Sequence, residues 1–223
     1  MAKFNDIKGF IFDLDGVITD TARFHTQAWH QLADKVGAPW SQDLEDGLKG
    51  VSRMDSLEMI LNAGGLANNY SAEEKEDLAT EKNTNYLALV DQMTPADILP
   101  GIKEFLDSLR ANHYAIALAS ASKNGPRVLG KLDLTDYFPT IVDPATLSKG
   151  KPDPEIYVKG AEALNLNPAQ CIGVEDAAAG VEAINGAGET SVGIGSAKLL
   201  HEADIVFPDT KELTLANIQK AMD

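Results

Sequence analysis

Apolar residues fall into two regimes along this chain. Between residues 20 and 94 they recur at helical spacing: Phe24, Ala28, Leu32 and Val36 lie four apart, with Gly37 placed to end the helix. Further helices are expected around Asp55 to Ala63 and over Ala72 to Val90. The second opens with Ser71-Ala72-Glu73-Glu74, a capping-box spacing with acids in the first turn, and its charged stretch Glu73 to Lys82 reads as a solvated face. No strand is expected there. Outside this region short continuous apolar runs alternate with helical stretches. The runs are Ile7 to Phe12, Ala115 to Ala119, Thr140 to Val142, Cys171 to Val174 and Ser191 to Ile194. Between them lie a helix with Ile102, Phe105, Leu106 and Leu109 on one face, one from about Glu155, and one ending at Gly186-Ala187-Gly188. The alternation predicts an α/β fold: a Rossmann-like, mainly parallel sheet core with a helical cap inserted after the first strand. The expected domains are a discontinuous core, 1–19 and 95–223, and a cap, 20–94.

In open α/β sheets ligands bind beyond the carboxyl ends of the strands. Four polar segments fall at that edge. Asp13-Leu14-Asp15-Gly16 follows the first run, and two crowded carboxylates there are costly unless a cation or hydrogen bonds compensate. Ser120-Ala121-Ser122-Lys123-Asn124 follows the Ala-rich run and offers donors to phosphate oxygens; a plain helix cap accounts for Ser122 and Asn124 but not for Ser120 and Lys123. Lys149-Gly150-Lys151-Pro152 supplies two lysines, of which Lys151, held extended by its proline, is favoured. Glu175-Asp176 follows the Cys171 run and suits a hard, oxygen-coordinated ion. Each segment alone has an ordinary reading as a turn or a helix start.

Composition narrows the partners. With 34 acidic and 19 basic residues the net charge is −15, which argues against nucleic acid and anionic membranes, so a phosphorylated ligand needs a local cluster of cations. The single cysteine, Cys171, excludes a disulfide framework, and the four histidines show no zinc-like spacing with it. No stretch is long and apolar enough to span a bilayer, and the first residues lack a signal-peptide core. A soluble, cytoplasmic monomer acting on small molecules is expected.

In the order carboxylates, serine, lysine, carboxylates, the chain resembles the haloacid dehalogenase-like phosphotransferase superfamily. The resemblance implies Asp13 as the phosphorylated nucleophile and Asp15 as general acid/base. It places Ser120 and Lys151 on the transferring phosphoryl group, and Mg²⁺ on Asp13, the Asp15 carbonyl, Glu175 and Asp176. One departure is Ala177, where relatives often carry Ser.

The inserted region resembles the hexose-phosphate mutase branch of that superfamily, through Asp20-Thr21, His25, Lys49-Gly50-Val51-Ser52-Arg53, Ser56 and Ser122 to Pro126. This likeness implies interconversion of β-D-glucose 1-phosphate and glucose 6-phosphate through β-glucose 1,6-bisphosphate, with a cap that closes to exclude water. By the same resemblance Arg53, Ser122, Lys123 and Asn124 hold a second phosphate, while Ala121 joins the first phosphate site through its N–H. Trp29, Lys49, Gly50, Val51, Ser52, Ser56 and Lys82 line the sugar, and Thr21 and His25 support acid/base positioning. A sugar-phosphate phosphatase of the same superfamily is the alternative. A non-catalytic binding module is disfavoured because every acid the chemistry needs is present.

Overall fold

The computed structural model describes residues 3–48 and 51–223. The chain divides into two compact units, one built from the chain up to Asp20 and from Thr94 onward, the other Thr21–Met93. Among the described residues no helix is long and apolar enough to cross a membrane.

The first unit is a six-stranded parallel sheet with helices. Its strands are β1 (Gly9–Phe12), β2 (Ala115–Leu118), β3 (Thr140–Ile141), β4 (Cys171–Glu175), β5 (Thr190–Ile194) and β6 (Ile205–Phe207), in the spatial order β3-β2-β1-β4-β5-β6. The order reverses between β2 and β4, with β1 at the centre, and such a switch point opens a crevice at the carboxyl edge. Because side chains alternate along a strand, β1 is apolar on both faces. Phe10 meets Phe105 edge-on, with ring centroids 5.6 Å apart. Phe105 lies on α5 (Ile102–Ala111), the helix whose apolar face was expected. Ile11 points the other way, into a cluster with Ile156, Tyr157, Ala161 and Ile184. These four lie on α7 (Glu155–Ala163) and α8 (Ala178–Ala187). Cys171 is buried in the same cluster.

The second unit is helical throughout its described elements: α1 (Ala22–Val36), α2 (Gln42–Gly47), α3 (Arg53–Ala63) and α4 (Ala72–Val90). Gly37 ends α1 in the left-handed conformation, φ 76°, and Ser71 with Glu74 forms the expected capping box of α4. Trp29, Leu32, Leu57, Ile60 and Leu78 form its core. Three elements were not anticipated from the sequence: α2, β6 and the C-terminal α9 (Leu215–Met222). The first two are short, six and three residues, and such pieces carry too few periods for a pattern to register. The remaining helix, α6 (Gly125–Lys131), follows Asn124.

Candidate active site

Phe12 pairs with Leu118 on one side and Val174 on the other, so β1, β2 and β4 finish at a common edge. The residues that follow are brought together there. Asp13 is buried, its amide donating to the Val174 carbonyl at 3.0 Å. Its Oδ2 accepts the Asp15 amide at 2.9 Å, and its Oδ1 accepts Lys151 Nζ at 2.6 Å. Lys151 is itself buried and also donates to Glu175 Oε1 at 2.5 Å. The peptide after it, Lys151–Pro152, is cis. Of the two lysines the sequence offered, Lys149 is exposed and pairs at 3.4 Å with Asp153.

Glu175 ends β4 and is 1 % exposed. Its Oε2 accepts the amides of Asp176 and Ala177 at 3.0 and 3.1 Å, so the residue at the position of the sequence departure contributes through its backbone. Its Oε1 takes a further donor, the Tyr157 hydroxyl, at 3.2 Å. Two glycines make room for these acids. Gly16 has φ +74°, and a Cβ there would lie 2.1 Å from Asp176 Oδ2. A Cβ on Gly180, in the first turn of α8, would lie 1.9 Å from Glu175 Oε1.

Charge is concentrated at this edge. Asp13, Glu175 and Asp176 each offer an oxygen within 4.8 Å of one another. Burial, aided by Glu175, raises Asp13 to about 6 in spite of Lys151. Burial and the neighbouring carboxylates raise Asp176 to about 8. Burial alone would lower Lys151, but Asp13 and Glu175 outweigh it and keep the ammonium protonated. Tyr157 is pushed well above its ordinary value by burial and by the same acids, so it stays a donor. Three carboxylates against one lysine leave a negative surplus, and the ligand atoms are all hard oxygens. The residues therefore fit a divalent cation of the Mg²⁺ or Ca²⁺ kind.

The serine segment follows β2 directly. Ser120 is buried and its Oγ accepts the Ser122 amide at 3.1 Å; Ser122 Oγ accepts the Asn124 amide at 3.3 Å. Ala121 is half-buried and Lys123 exposed.

Within the helical unit the named residues form a separate group. Lys82, 2 % exposed, places Nζ 2.7 Å from His25 Nδ1 and 4.4 Å from the centre of the Trp29 ring. The ring of Tyr86 stacks on His25 at 4.0 Å. Burial, with Lys82 and Arg53 nearby, lowers His25 well below its ordinary value, so the imidazole is neutral and Nδ1 acts as acceptor. Arg53 donates to Asn83 Oδ1 at 2.8 Å. Ser52 caps α3, Val51 is half-buried before it, and Ser56 is buried one turn on. Thr21 is fully buried ahead of α1. Lys49 and Gly50 lie outside the described residues.

The pattern of haloacid dehalogenase-like hydrolases matches residues 7–188. The chain belongs to that family. Within the family it is 46% identical over 209 residues to a β-phosphoglucomutase of Bacillus subtilis, covering 94% of this chain and 92% of that one. A crystal structure of β-phosphoglucomutase from Clostridium difficile superposes with a TM-score of 0.95 at 46% identity, over 97% of both chains. A phosphorylated carbohydrates phosphatase of Thermotoga maritima is 30% identical over 184 residues, 82% of each chain. Two residues of this haloacid dehalogenase-like centre, and one of the separate group in the helical unit, carry no signal in the sequence. Tyr157 and Gly180 sit on helices and reach the site only through packing against β1 and β4. Tyr86 announces itself only as one apolar position of α4.

Proposed function

We propose that this chain is a Mg²⁺-dependent β-phosphoglucomutase that interconverts β-D-glucose 1-phosphate and glucose 6-phosphate. The nearly full-length likeness to β-phosphoglucomutases carries the reading. The buried Asp13–Lys151–Glu175 arrangement is chemically suited to it. Asp13 is the nucleophile and Asp15 the general acid/base. In the first half-reaction the 6-hydroxyl of β-glucose 1-phosphate attacks the phosphoryl group on Asp13, and Asp15 takes its proton as the aspartyl–phosphate bond breaks. The product, β-glucose 1,6-bisphosphate, turns around. Asp13 then takes the C1 phosphoryl group while Asp15 returns the proton to the departing C1 oxygen. Glucose 6-phosphate leaves and the phospho-enzyme is restored.

Mg²⁺ bound through Asp13, Glu175, Asp176 and the Asp15 carbonyl supplies positive charge where a carboxylate meets a phosphate dianion. Lys151, Ser120 and the Ala121 N–H hold the same phosphoryl group; Lys151 trades a carboxylate for a phosphate oxygen when substrate arrives. Ser122, Lys123 and Asn124 of the sheet unit and Arg53 of the helical unit are assigned to the second phosphate, where an Arg fork is apt. Trp29, Lys49, Gly50, Val51, Ser52, Ser56 and Lys82 are assigned to the sugar, and Thr21 and His25 to positioning the acid/base. The protein is taken as a cytoplasmic monomer. A sugar-phosphate phosphatase remains the second reading, favoured by the likeness to the Thermotoga enzyme.

Incubation with Mg²⁺, β-glucose 1-phosphate and trace β-glucose 1,6-bisphosphate separates the two, with glucose 6-phosphate and free phosphate both followed. The mutase gives glucose 6-phosphate without matching phosphate release. Phosphate release without isomerisation makes the protein a phosphatase and removes the assignments in the helical unit.

A further inference from the structure

The carboxylate of Glu175 is held more tightly than a metal ligand needs to be. An ionised carboxylate has about four lone-pair positions, and here all are used: two by the amides of Asp176 and Ala177, one by Lys151 and one by Tyr157. Lys151 and Tyr157 share Oε1, and Gly180 lies so close to it that a Cβ there would fall 1.9 Å away. Tyr157 is fully buried on α7 and touches the centre in two ways. Its ring lies under Lys151 Nζ, 5.2 Å from the centroid, and its hydroxyl donates to Glu175. Only the second contact needs tyrosine; phenylalanine supplies the first.

The hydroxyl has a distinct consequence. Lys151 is divided between Asp13 and Glu175. A second donor on Oε1 takes up part of the charge that otherwise draws Lys151 to Glu175, and it fixes the rotation of the carboxylate. A divalent cation entering beside Asp13 and Asp176 must compete with Lys151 for that carboxylate. Without the hydroxyl the lysine–glutamate pair tightens and the cation binds less well.

We propose that Tyr157 is a positioning residue for the cation site, its hydroxyl orienting Glu175 and weakening the hold of Lys151 on it. The proposal rests on the reading of Asp13, Glu175 and Asp176 as the Mg²⁺ site. Partners of this kind, one shell out from a metal, change affinity by about 10- to 100-fold when removed.

The test is Tyr157→Phe in the full chain, which keeps the ring and its packing. Mg²⁺ is titrated calorimetrically into wild type and variant, and turnover is measured across Mg²⁺ concentration. The Mg²⁺ dissociation constant should rise about 10-fold. The apparent KM for Mg²⁺ should rise with it while kcat at saturating Mg²⁺ stays near wild type. An unchanged dissociation constant overturns the proposal. So does a fall in kcat that excess Mg²⁺ fails to restore, since the hydroxyl would then act on the Lys151–Asp13 contact. If wild type itself binds no Mg²⁺, the metal reading fails before the tyrosine is at issue.

Discussion

At the carboxyl edge of the sheet three carboxylates are crowded together with a buried lysine, four backbone or side-chain donors on Glu175, and room cleared by two glycines. At the amino edge a single acid, Glu189, is buried just before β5 with neither carboxylate oxygen hydrogen-bonded. Burial alone pushes it well above its ordinary value. Its neighbour Cys171, at the start of β4, is pushed up to about 12, by burial first and by Glu189 second. Both edges bury acid, but only one supplies partners. Burial without partners neutralises a carboxylate; at the carboxyl edge burial also raises Asp13 and Asp176, but there Lys151 opposes the shift and the acids lie together where a divalent cation would favour their ionised forms.

Substitutions at the two edges sharpen that contrast. The largest effect is expected from Asp13→Asn, which should abolish turnover in the glucose 6-phosphate assay; normal activity would remove Asp13 as nucleophile. Lys151→Met should follow, with kcat down about 10²- to 10³-fold, the scale for losing one charge-stabilising donor. Gly180→Ala comes next. Alanine favours the helix by about 1 kcal/mol, but its Cβ displaces the buried, hydrogen-bonded Glu175, so activity should fall about 10-fold. The urea midpoint should fall with it, because the buried bonds lost outweigh the helix gain.

The smallest effect lies at the amino edge and has the opposite sign. Glu189→Met should stabilise the protein by about 1–3 kcal/mol, the cost of a buried polar group left unsatisfied, with turnover unchanged. The pH dependence follows from linkage. Because the folded-state pKa of Glu189 is raised, the folded protein holds a proton that the unfolded chain has lost above about 4.5. Wild-type stability from this group is therefore full below that pH and is lost as pH rises toward the folded pKa. The advantage of the methionine variant in urea melts should grow from pH 5 to pH 8; an advantage that shrinks over that range contradicts the account.

The same contrast marks what the sequence could reveal. Apolar runs such as Phe10-Ile11-Phe12 and Cys171 to Val174 expose the parallel sheet because strands buried on both faces leave no polar residue to blur them. β6 escapes because three residues hold no pattern. Asp13, Glu175 and Asp176 stand out as acids after buried strands, which chain order alone makes unusual. Lys151 is favoured over Lys149 already by the proline that follows it, and the structure turns Lys149 to solvent and Lys151 onto Asp13. Tyr157 and Gly180 are ordinary helix residues until α7 and α8 are packed on the sheet. Glu189 carries no signal of its own beside the Gly186-Ala187-Gly188 break, and its burial is a product of packing.

The most direct test of the account is to mix the enzyme with Mg²⁺ and β-glucose 1,6-bisphosphate, quench in acid, and map the phosphoryl group by peptide mass. One phosphoryl group on the peptide carrying Asp13, absent from Asp13→Asn, is the result expected. A phosphoryl group on another residue, or none on an enzyme that is turning over, would contradict it.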